Sequence, residues 1–162
     1  MKKLLITFFT VLFCMTSSVG WSETMDDLIK RDTIYYKKFT EVPFSGKVDG
    51  KKQGSLKNGK KEGSWVEYFD NGQLVSKGEY KNGKEEGSWI SYWKNGQLFS
   101  KGDFKDGKEE GSWVRYHDNG QLFSKGDYKN GKREGSWVKY FKDRTIVGLL
   151  TGTYKDGVKI SD

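Results

Sequence analysis

The sequence predicts an all-β protein, an elongated single-layer sheet of stacked β-hairpin repeats with a period of 24 residues. The first observation is that residues 87–110 begin again at Gly111, and the two copies match at 17 of 24 positions. The second is that tryptophan recurs at the same interval, at Trp65, Trp89, Trp113 and Trp137. A fixed period of this length is typical of repeat architectures, in which each unit covers the apolar surface of its neighbour.

Each repeat is predicted to contain two short strands and two turns. Residues 88–93 are rich in aromatic and β-branched side chains, and residues 97–105 follow them. Asn95-Gly96 separates the two strands and Asp106-Gly107 ends the second, and such pairs tolerate the positive φ that hairpin turns require. No segment has helical periodicity, and the only proline, Pro43, lies outside the repeats. The repeats are therefore predicted to be hairpins throughout.

The length of the Asn95-Gly96 turn decides which side chains share a face, because a slip of one residue exchanges the two faces. A two-residue turn would place Trp89 opposite Gly102 and Trp93 opposite Leu98. A three-residue turn, with Gly96 as a left-handed bulge residue, instead groups on one face Ile90, Tyr92, Leu98, Ser100, Gly102 and Phe104. The other face then carries Trp89, Ser91, Trp93, Phe99, Lys101 and Asp103. We favour the three-residue turn because it separates apolar from polar residues more cleanly.

Residues 1–20 are predicted to be a secretory signal peptide. Two lysines follow Met1, an apolar run covers residues 4–15, and small residues then suit cleavage near Gly20, with Ser22 as a second choice. The apolar run is too short to span a membrane, which needs about 20 residues. The protein is therefore predicted to be exported to the periplasm or out of the cell.

Removal of this segment leaves 142 residues with a net charge of about +5 and without the only cysteine, Cys14. The mature chain can then form no disulfide, and its length fits one domain. Its predicted parts are a lead-in with a short helix and a strand at 21–43, a repeat domain at 44–158 and a C-terminal tail at 159–162.

The two ends depart from the repeat. Thr24 is predicted to cap a short helix, and residues 33–39 and 54–62 are predicted to form a strand and a half-repeat. At the other end, Asp143-Arg144 replaces the expected Asn-Gly. Atypical ends are expected in a stacked-repeat protein, because an open sheet edge must be protected.

The repeat motif resembles a known family. Gly-Ser-Trp-Val-x-Tyr, followed by Asn-Gly-Gln-Leu and Lys-Gly-(Asp/Glu)-Tyr-Lys-(Asn/Asp)-Gly-Lys, is similar to the MORN-repeat variant. The similarity covers about residues 44–158, and residues 35–39 resemble the lead-in common in such chains. Bacterial proteins with this repeat are often called YwqK-like antitoxins. The resemblance implies stacked β-hairpins in a long single-layer sheet, and protein- or membrane-binding roles.

The sequence offers no chemistry for an enzyme. His117 is the only histidine, and it stands where other repeats carry Phe or Trp, so we predict that it serves as a planar ring. Neither a nucleophilic pair nor an ordinary zinc site can be assembled from one histidine and no mature cysteine. Acidic residues such as Asp103 and Asp106 recur at turns, where Asx side chains bond to their own backbone. We predict no catalytic residues, no cofactor and no metal site.

Charged residues recur in columns. The basic columns are Lys77, Lys101, Lys125 and Lys81, Lys105, Lys129, spaced about 10 Å per repeat. The acidic columns are Glu79, Asp103, Asp127 and Glu62, Glu86, Glu110, Glu134. Basic ladders can follow an anionic polymer or membrane surface. Cross-strand pairing on a solvated face explains the mixture of signs better, and nucleic acid is not expected for an exported chain.

Two interpretations of the Trp rows are open. They could pack successive hairpins together, or they could form a partner-binding face, since Trp and Tyr concentrate binding energy on surfaces. In the second case the candidate partner-binding residues are Trp65, Trp89, Trp93, Phe99, Lys101, Trp113, Phe123, Lys125 and Trp137.

Two classes of function follow. We predict a non-enzymatic scaffold for protein–protein interaction in the cell envelope, with another envelope protein as partner. The alternative is a module for a carbohydrate, cell-wall or anionic membrane-surface ligand, because Trp/Tyr hairpin repeats also resemble choline- and glucan-binding repeats. A third possibility, an antitoxin of a toxin–antitoxin pair, is implied by the family label, but an exported protein does not meet a cytosolic toxin.

Overall fold

The computed structural model describes residues 22–162, so the predicted export signal lies outside the described residues. Fourteen strands account for most of this part, and it contains two short 3₁₀ turns, at Met25–Asp27 and Gly148–Leu150, but no α-helix. The strands are β1 (Glu23–Thr24), β2 (Leu28–Arg31), β3 (Ile34–Lys37), β4 (Gly46–Asp49), β5 (Lys52–Lys57), β6 (Lys60–Tyr68), β7 (Leu74–Lys81), β8 (Lys84–Tyr92), β9 (Leu98–Lys105), β10 (Lys108–Tyr116), β11 (Leu122–Lys129), β12 (Lys132–Lys139), β13 (Gly152–Lys155) and β14 (Val158–Ser161). The predicted all-β fold class is confirmed.

One open sheet contains twelve of these strands. Its order is β1, then β4 to β14 in sequence, so each hairpin adds two strands beside the previous hairpin. All neighbours from β4 onward are antiparallel, whereas β1 pairs with β4 in parallel. Strands β2 and β3 form a separate two-stranded sheet. The result is a long sheet of stacked hairpins, as the 24-residue period predicts.

Two kinds of turn alternate along the chain. At Asn95-Gly96 the Trp93 N–H donates to the Gln97 carbonyl at 2.7 Å, and Gly96 has φ +83°. The predicted three-residue loop with a left-handed glycine is therefore confirmed at this turn. At Asp106-Gly107 both residues have positive φ, 52° and 77°, as a two-residue type I′ hairpin turn requires. The sequence signal is similar at both sites, but the turns differ in length.

The predicted division of faces is wrong, because a second bulge follows the three-residue turn. Tyr92 pairs with Leu98 as expected, but the next pair is Ser91 with Ser100, which leaves Phe99 as an extra residue. The extra residue of the three-residue turn shifts the register by one, and the extra residue Phe99 shifts it by one more, so the alternation of faces is restored. Trp89 therefore pairs with Gly102 and lies on the same face, whereas Lys101 pairs with Ile90 on the opposite face.

A larger bulge joins each hairpin to the next. Between β9 and β10 the pairing runs from Lys101↔Val114 to Asp103↔Glu110, so the three residues 111–113 stand opposite the single residue Gly102. Gly111 opens this bulge with φ +65°. The same arrangement recurs at the glycines preceding each bulge, Gly54, Gly78, Gly102 and Gly126.

The indole ring of each bulge lies directly over the glycine of the preceding hairpin. A Cβ at Gly102 would lie 2.2 Å from the Trp113 ring, so no side chain fits there. The indole Nε1 of Trp113 donates to the Asp103 carbonyl at 3.0 Å, which satisfies its polar group. Equivalent hydrogen bonds of 2.8–3.2 Å tie the other indoles to the preceding strand, from Trp65 to Ser55, from Trp89 to Glu79 and from Trp137 to Asp127.

These rings form one continuous aromatic row along the sheet. Successive rings meet edge to face with centroids 4.8–6.2 Å apart, in the order Trp65, Tyr80, Trp89, Phe104, Trp113, Tyr128 and Trp137. Trp65, Trp113 and Trp137 are only 3–4% exposed. Edge-to-face pairs are each worth about 0.5–1.5 kcal/mol beyond the area they bury. The row is therefore the core of the repeat region, which supports the packing interpretation of the tryptophans.

The N-terminal end of the row is capped by the lead-in. Leu28, Val48 and Leu56 are buried with Trp65 in one cluster, and Leu28 comes from the separate β2–β3 hairpin. The predicted short helix is a single 3₁₀ turn, in which the Asp27 carboxylate accepts from both the N–H and the hydroxyl of Thr24. These two hydrogen bonds, the hydroxyl contact first, hold the pKa of Asp27 below its ordinary value.

The acidic column at the start of each strand supports the next turn. Its carboxylates accept hydrogen bonds of 2.8–3.0 Å from backbone N–H groups of the next turn. Asn82 donates to Glu62, Asp106 to Glu86, Asn130 to Glu110 and Asp156 to Glu134. Backbone hydrogen bonds reinforce each junction, as where the Gly107 N–H donates to the Glu85 carbonyl at 2.9 Å. We predicted cross-strand charge pairing for this column. Instead, each of these glutamates connects its own strand to the turn of the next hairpin.

Candidate functional site: the two faces of the sheet

The aromatic face carries the row from Trp65 to Trp137 and is covered by charged side chains. The Nζ of Lys61 lies 4.3 Å from the Trp65 ring centroid, and the guanidinium groups of Arg115 and Arg133 cover the rings further along. Arg115 also forms an ion pair with Glu109. Cation–π contacts of this kind are worth about 0.5–2 kcal/mol each. These cations therefore belong to the packing of the face.

Two groups on this face have shifted pKa values. Burial, aided by the positive charge of Lys52, lowers the pKa of the Lys61 ammonium. Burial also raises the pKa of the Tyr80 hydroxyl, and the negative charge of Glu85, which accepts its hydrogen bond at 3.3 Å, acts in the same direction. Both shifts have burial as their main cause, and the Lys61 Nζ lies 3.5 Å from the Tyr80 hydroxyl.

Several predicted binding residues are not available to a partner. Trp65, Trp113 and Trp137 are buried against the preceding hairpin, and Trp89 is half-buried in the same row. They were predicted on the opposite face from Phe104, but Trp89 contacts the Phe104 ring at 5.9 Å. Of the two open interpretations, burial favours packing for these tryptophans, and the bulge at Phe99 places them on the same face as Phe104.

The remaining predicted aromatic residues form a second row near the three-residue turns. Trp93 contacts Phe99 at 4.5 Å and His117 contacts Phe123 at 4.9 Å between ring centroids. All four side chains are half-buried. The Nε1 of Trp93 donates to the Tyr116 carbonyl at 3.1 Å, and the Nε2 of His117 lies 3.0 Å from the carbonyl of Tyr140, one repeat on. His117 thus takes the place of Trp93.

The predicted lysines lie on the other side of the sheet. Lys101 and Lys125 are exposed, and they pair across the sheet with Ile90, Val114 and Val138 rather than with the tryptophans. By strand register the two lysines therefore lie on the face opposite the tryptophans, although Lys101 still lines a surface groove together with Trp65 and Trp89.

We call this second surface the lysine face. It is a row that crosses seven strands, β6 to β12, and consists of Val66, Lys77, Ile90, Lys101, Val114, Lys125 and Val138. Aliphatic and basic residues alternate from strand to strand, so the row extends for about 29 Å at about 4.8 Å per strand. The aliphatic members are only half-buried, since no second layer of residues 22–162 covers them.

A groove of about 390 Å³ lies in this face. Val66, Lys77, Ile90 and Lys101 line it together with Trp65, Trp89 and Glu79. Within the described part of the chain, Lys77, Lys101 and Lys125 have no carboxylate within 4.0 Å. The groove therefore combines apolar surface with cations that are free to pair.

A second cavity, which the sequence did not reveal, lies where the repeat breaks. It has a volume of about 490 Å³ and is lined by Asn119, Gly120, Gln121, Leu122, Tyr140 and Arg144. The replacement of Asn-Gly by Asp143-Arg144 is visible in the sequence. The cavity is not, because it forms between two consecutive turns of the stack.

Two further observations bound the chemistry. No three or more His, Cys, Asp or Glu side chains within residues 22–162 are grouped so that they could hold a metal ion. In the same range there is no helix of the length and apolarity needed to cross a membrane.

The comparisons with known proteins agree with this geometry. Three consecutive segments, residues 61–82, 85–106 and 109–130, match the family model described as MORN repeat variant. No curated protein matches the chain. The three central repeats are thus similar to MORN repeats, a class that is generally non-enzymatic and suggests a repeat scaffold for protein or membrane interaction.

Proposed function

We propose that this protein is an exported, non-enzymatic scaffold that binds another protein of the cell envelope through its lysine face. The observation that carries the proposal is that face itself, an uncovered row of half-buried aliphatic residues alternating with unpaired lysines. The export signal predicted for residues 1–20 supports the location. An antitoxin role is not part of the proposal, because an exported chain does not meet a cytosolic toxin.

The choice of face follows from where the aromatic residues are used. On the aromatic face, the rings that usually supply binding energy already bury one another between hairpins. On the lysine face, apolar groups remain accessible, and a partner that covers them gains about 25 cal/mol per Å² of apolar surface removed from water. The lysines select acidic partners and accelerate encounter.

A charge-reversal variant tests the proposal. In the mature protein, Lys101→Glu combined with Lys125→Glu should weaken the capture of the envelope partner at least tenfold, because it places like charges against an acidic surface. The melting temperature should stay close to that of wild type, since both side chains are exposed. Photo-crosslinking from position 114 in intact cells, followed by mass spectrometry, identifies the partner, and titration of the purified pair measures affinity.

A matched control carries the same charge change away from the face, Lys38→Glu with Lys94→Glu, both at exposed positions. It should leave capture nearly unchanged. Equal loss in both variants would show that only net charge matters. Binding of the mature protein to anionic phospholipid vesicles, with the same sensitivity to Lys101 and Lys125 and no crosslinked protein, would favour a membrane surface as the ligand instead.

A further inference from the structure

Arg144 occupies a position that glycine fills in every preceding repeat. In the loop 141–145 the Phe141 N–H donates to the Thr145 carbonyl at 2.9 Å and the Arg144 N–H to the Phe141 carbonyl at 3.0 Å. These are the hydrogen bonds of the three-residue turn at Gly96. Arg144 has φ +70°, and the corresponding glycines Gly72, Gly96 and Gly120 have φ +79° to +83°. A non-glycine residue in this region is strained, and such strain is concentrated at functional sites.

This replacement changes how one turn stacks on the next. In the preceding pair of turns, the side chain of Gln97 lies close against Gly120, since a Cβ at Gly120 would be 3.2 Å from the Gln97 Oε1. Gln121 is the equivalent of Gln97, but the following turn presents Arg144 in place of glycine. The cavity of about 490 Å³ lies between these two turns. Its volume is within the range of about 300–1,000 Å³ that is usual for small-ligand pockets.

Gln121 lines the cavity, and one of its polar atoms lacks a partner. The Oε1 of Gln121 is shielded from solvent and accepts no hydrogen bond. By contrast, the Oε1 of Gln73, two repeats earlier, accepts from the Asn71 Nδ2 at 2.9 Å. A buried acceptor without a partner is costly, and each such group in a native structure requires an explanation. Because the last torsion of a glutamine side chain is soft, a modest rotation would turn Oε1 toward a ligand.

The other lining groups define what such a ligand would carry. The Arg144 side chain is exposed and has no carboxylate within 4.0 Å among residues 22–162. Its planar guanidinium group can therefore form two hydrogen bonds to the carboxylate of a ligand. Asn119 uses its Oδ1 to accept the Gln121 N–H at 3.1 Å, which leaves its Nδ2 as a donor. Leu122 and the half-buried Tyr140 supply apolar surface.

We propose that this cavity binds a carboxylate-bearing sugar unit. A sugar hydroxyl both donates and accepts, so neighbouring hydroxyls satisfy the acceptor of Gln121 and the donor of Asn119 together. The carboxylate pairs with Arg144, and a face of the sugar ring lies against Tyr140 and Leu122. The site is independent of the lysine face, because none of the residues that define that face lines the cavity.

Chemical-shift titration of the mature protein with D-glucuronate and with D-glucose tests the proposal. The two probes differ only in the carboxylate. Glucuronate should shift the side-chain amide signals of Asn119 and Gln121, and glucose should bind at least tenfold more weakly. Arg144→Gly should abolish the glucuronate shifts. It should also raise the melting temperature, because glycine is unstrained at this φ, and that result shows that the variant is folded.

Gln97→Leu is the matched control, since it alters the same position one repeat earlier and should leave binding unchanged. Absence of shifts with glucuronate would overturn the proposal. So would shifts that persist in Arg144→Gly, or equal binding of N-acetyl-alanyl-alanine, which offers a carboxylate and amides without a sugar. The Lys101→Glu, Lys125→Glu variant should bind glucuronate normally, so failure of the scaffold proposal and failure of this one are distinguishable.

Discussion

Gly102 and Trp113 show how a single pair of residues joins neighbouring hairpins. The absence of a side chain at Gly102 lets the indole ring lie against the backbone of the preceding strand, and the ring nitrogen then reaches the Asp103 carbonyl. The pair therefore contributes buried apolar area, a hydrogen bond and the aromatic contacts of Trp113 with Phe104 and Tyr128. Glycine is required here for space, since its φ is not among the positive values of the chain.

Gly102→Ala should lower the free energy of unfolding by about 1–3 kcal/mol, because the added methyl group overpacks the site beneath Trp113. Chemical denaturation measures the loss. Gly148→Ala is the control, because a Cβ there meets nothing within 4 Å and its φ is not positive; it should change stability by no more than about 0.5 kcal/mol. Equal effects of the two substitutions would contradict the ring-over-glycine contact.

The hairpin is the structural unit, and its junctions use backbone groups as much as side chains. Glu110 illustrates this, because its carboxylate accepts the Asn130 N–H at 2.8 Å while the Gly131 N–H donates to the Glu109 carbonyl at 2.9 Å. The type I′ turn at Asn130-Gly131 would otherwise leave these amides to solvent. An acidic residue before each bulge is thus explained by the turn of the next hairpin.

Glu110→Ala should cost about 0.5–1.5 kcal/mol, the usual net value of one hydrogen bond. Hydrogen exchange of the Asn130 amide should accelerate more than that of amides in β6. Glu79→Ala supplies the comparison, because Glu79 is exposed and its carboxylate only approaches the Ser64 hydroxyl, at 3.5 Å. If Asn130 exchanges at the same rate in both variants, the assignment of Glu110 to the turn is wrong.

At the scale of the whole molecule, each hairpin contacts the hairpins on either side of it, and the ends are closed differently. The N-terminal end is covered by the β2–β3 hairpin, and Tyr154 of β13 is buried at the other end. Stability should therefore be close to a sum over repeats and their junctions.

Deletion of residues 87–110 tests this additivity. It joins Glu86 to Gly111, so that Trp113 meets Gly78 in place of Trp89, and the shortened protein should fold with a lower melting temperature. Removal of half a repeat, residues 87–98, is the control and should abolish cooperative unfolding, because it breaks the match between bulges and glycines. Loss of the β-sheet circular dichroism signal in the full-repeat deletion would indicate a single indivisible core.

Local chemistry was sufficient for much of the fold. The 24-residue period, the all-β class and the three-residue turn at Gly96 could all be predicted, because each depends on residues that are close in sequence. The strand pairing beyond Phe99 could not be predicted in this way. A bulge in the middle of a strand has no strong sequence signal, and one extra residue there exchanges the faces of everything that follows.

Which residues are buried and which are exposed depends on contacts between repeats. Whether Trp113 is a core residue or a binding residue is decided by Gly102, which belongs to the preceding hairpin, and no property of Trp113 alone distinguishes the two roles. The cavity beside Arg144 likewise forms only when two turns, 24 residues apart, stack on each other. Sequence by itself determined the repeating unit, and tertiary structure decided which of its faces is buried, because burial in a stacked sheet is a property of neighbouring units.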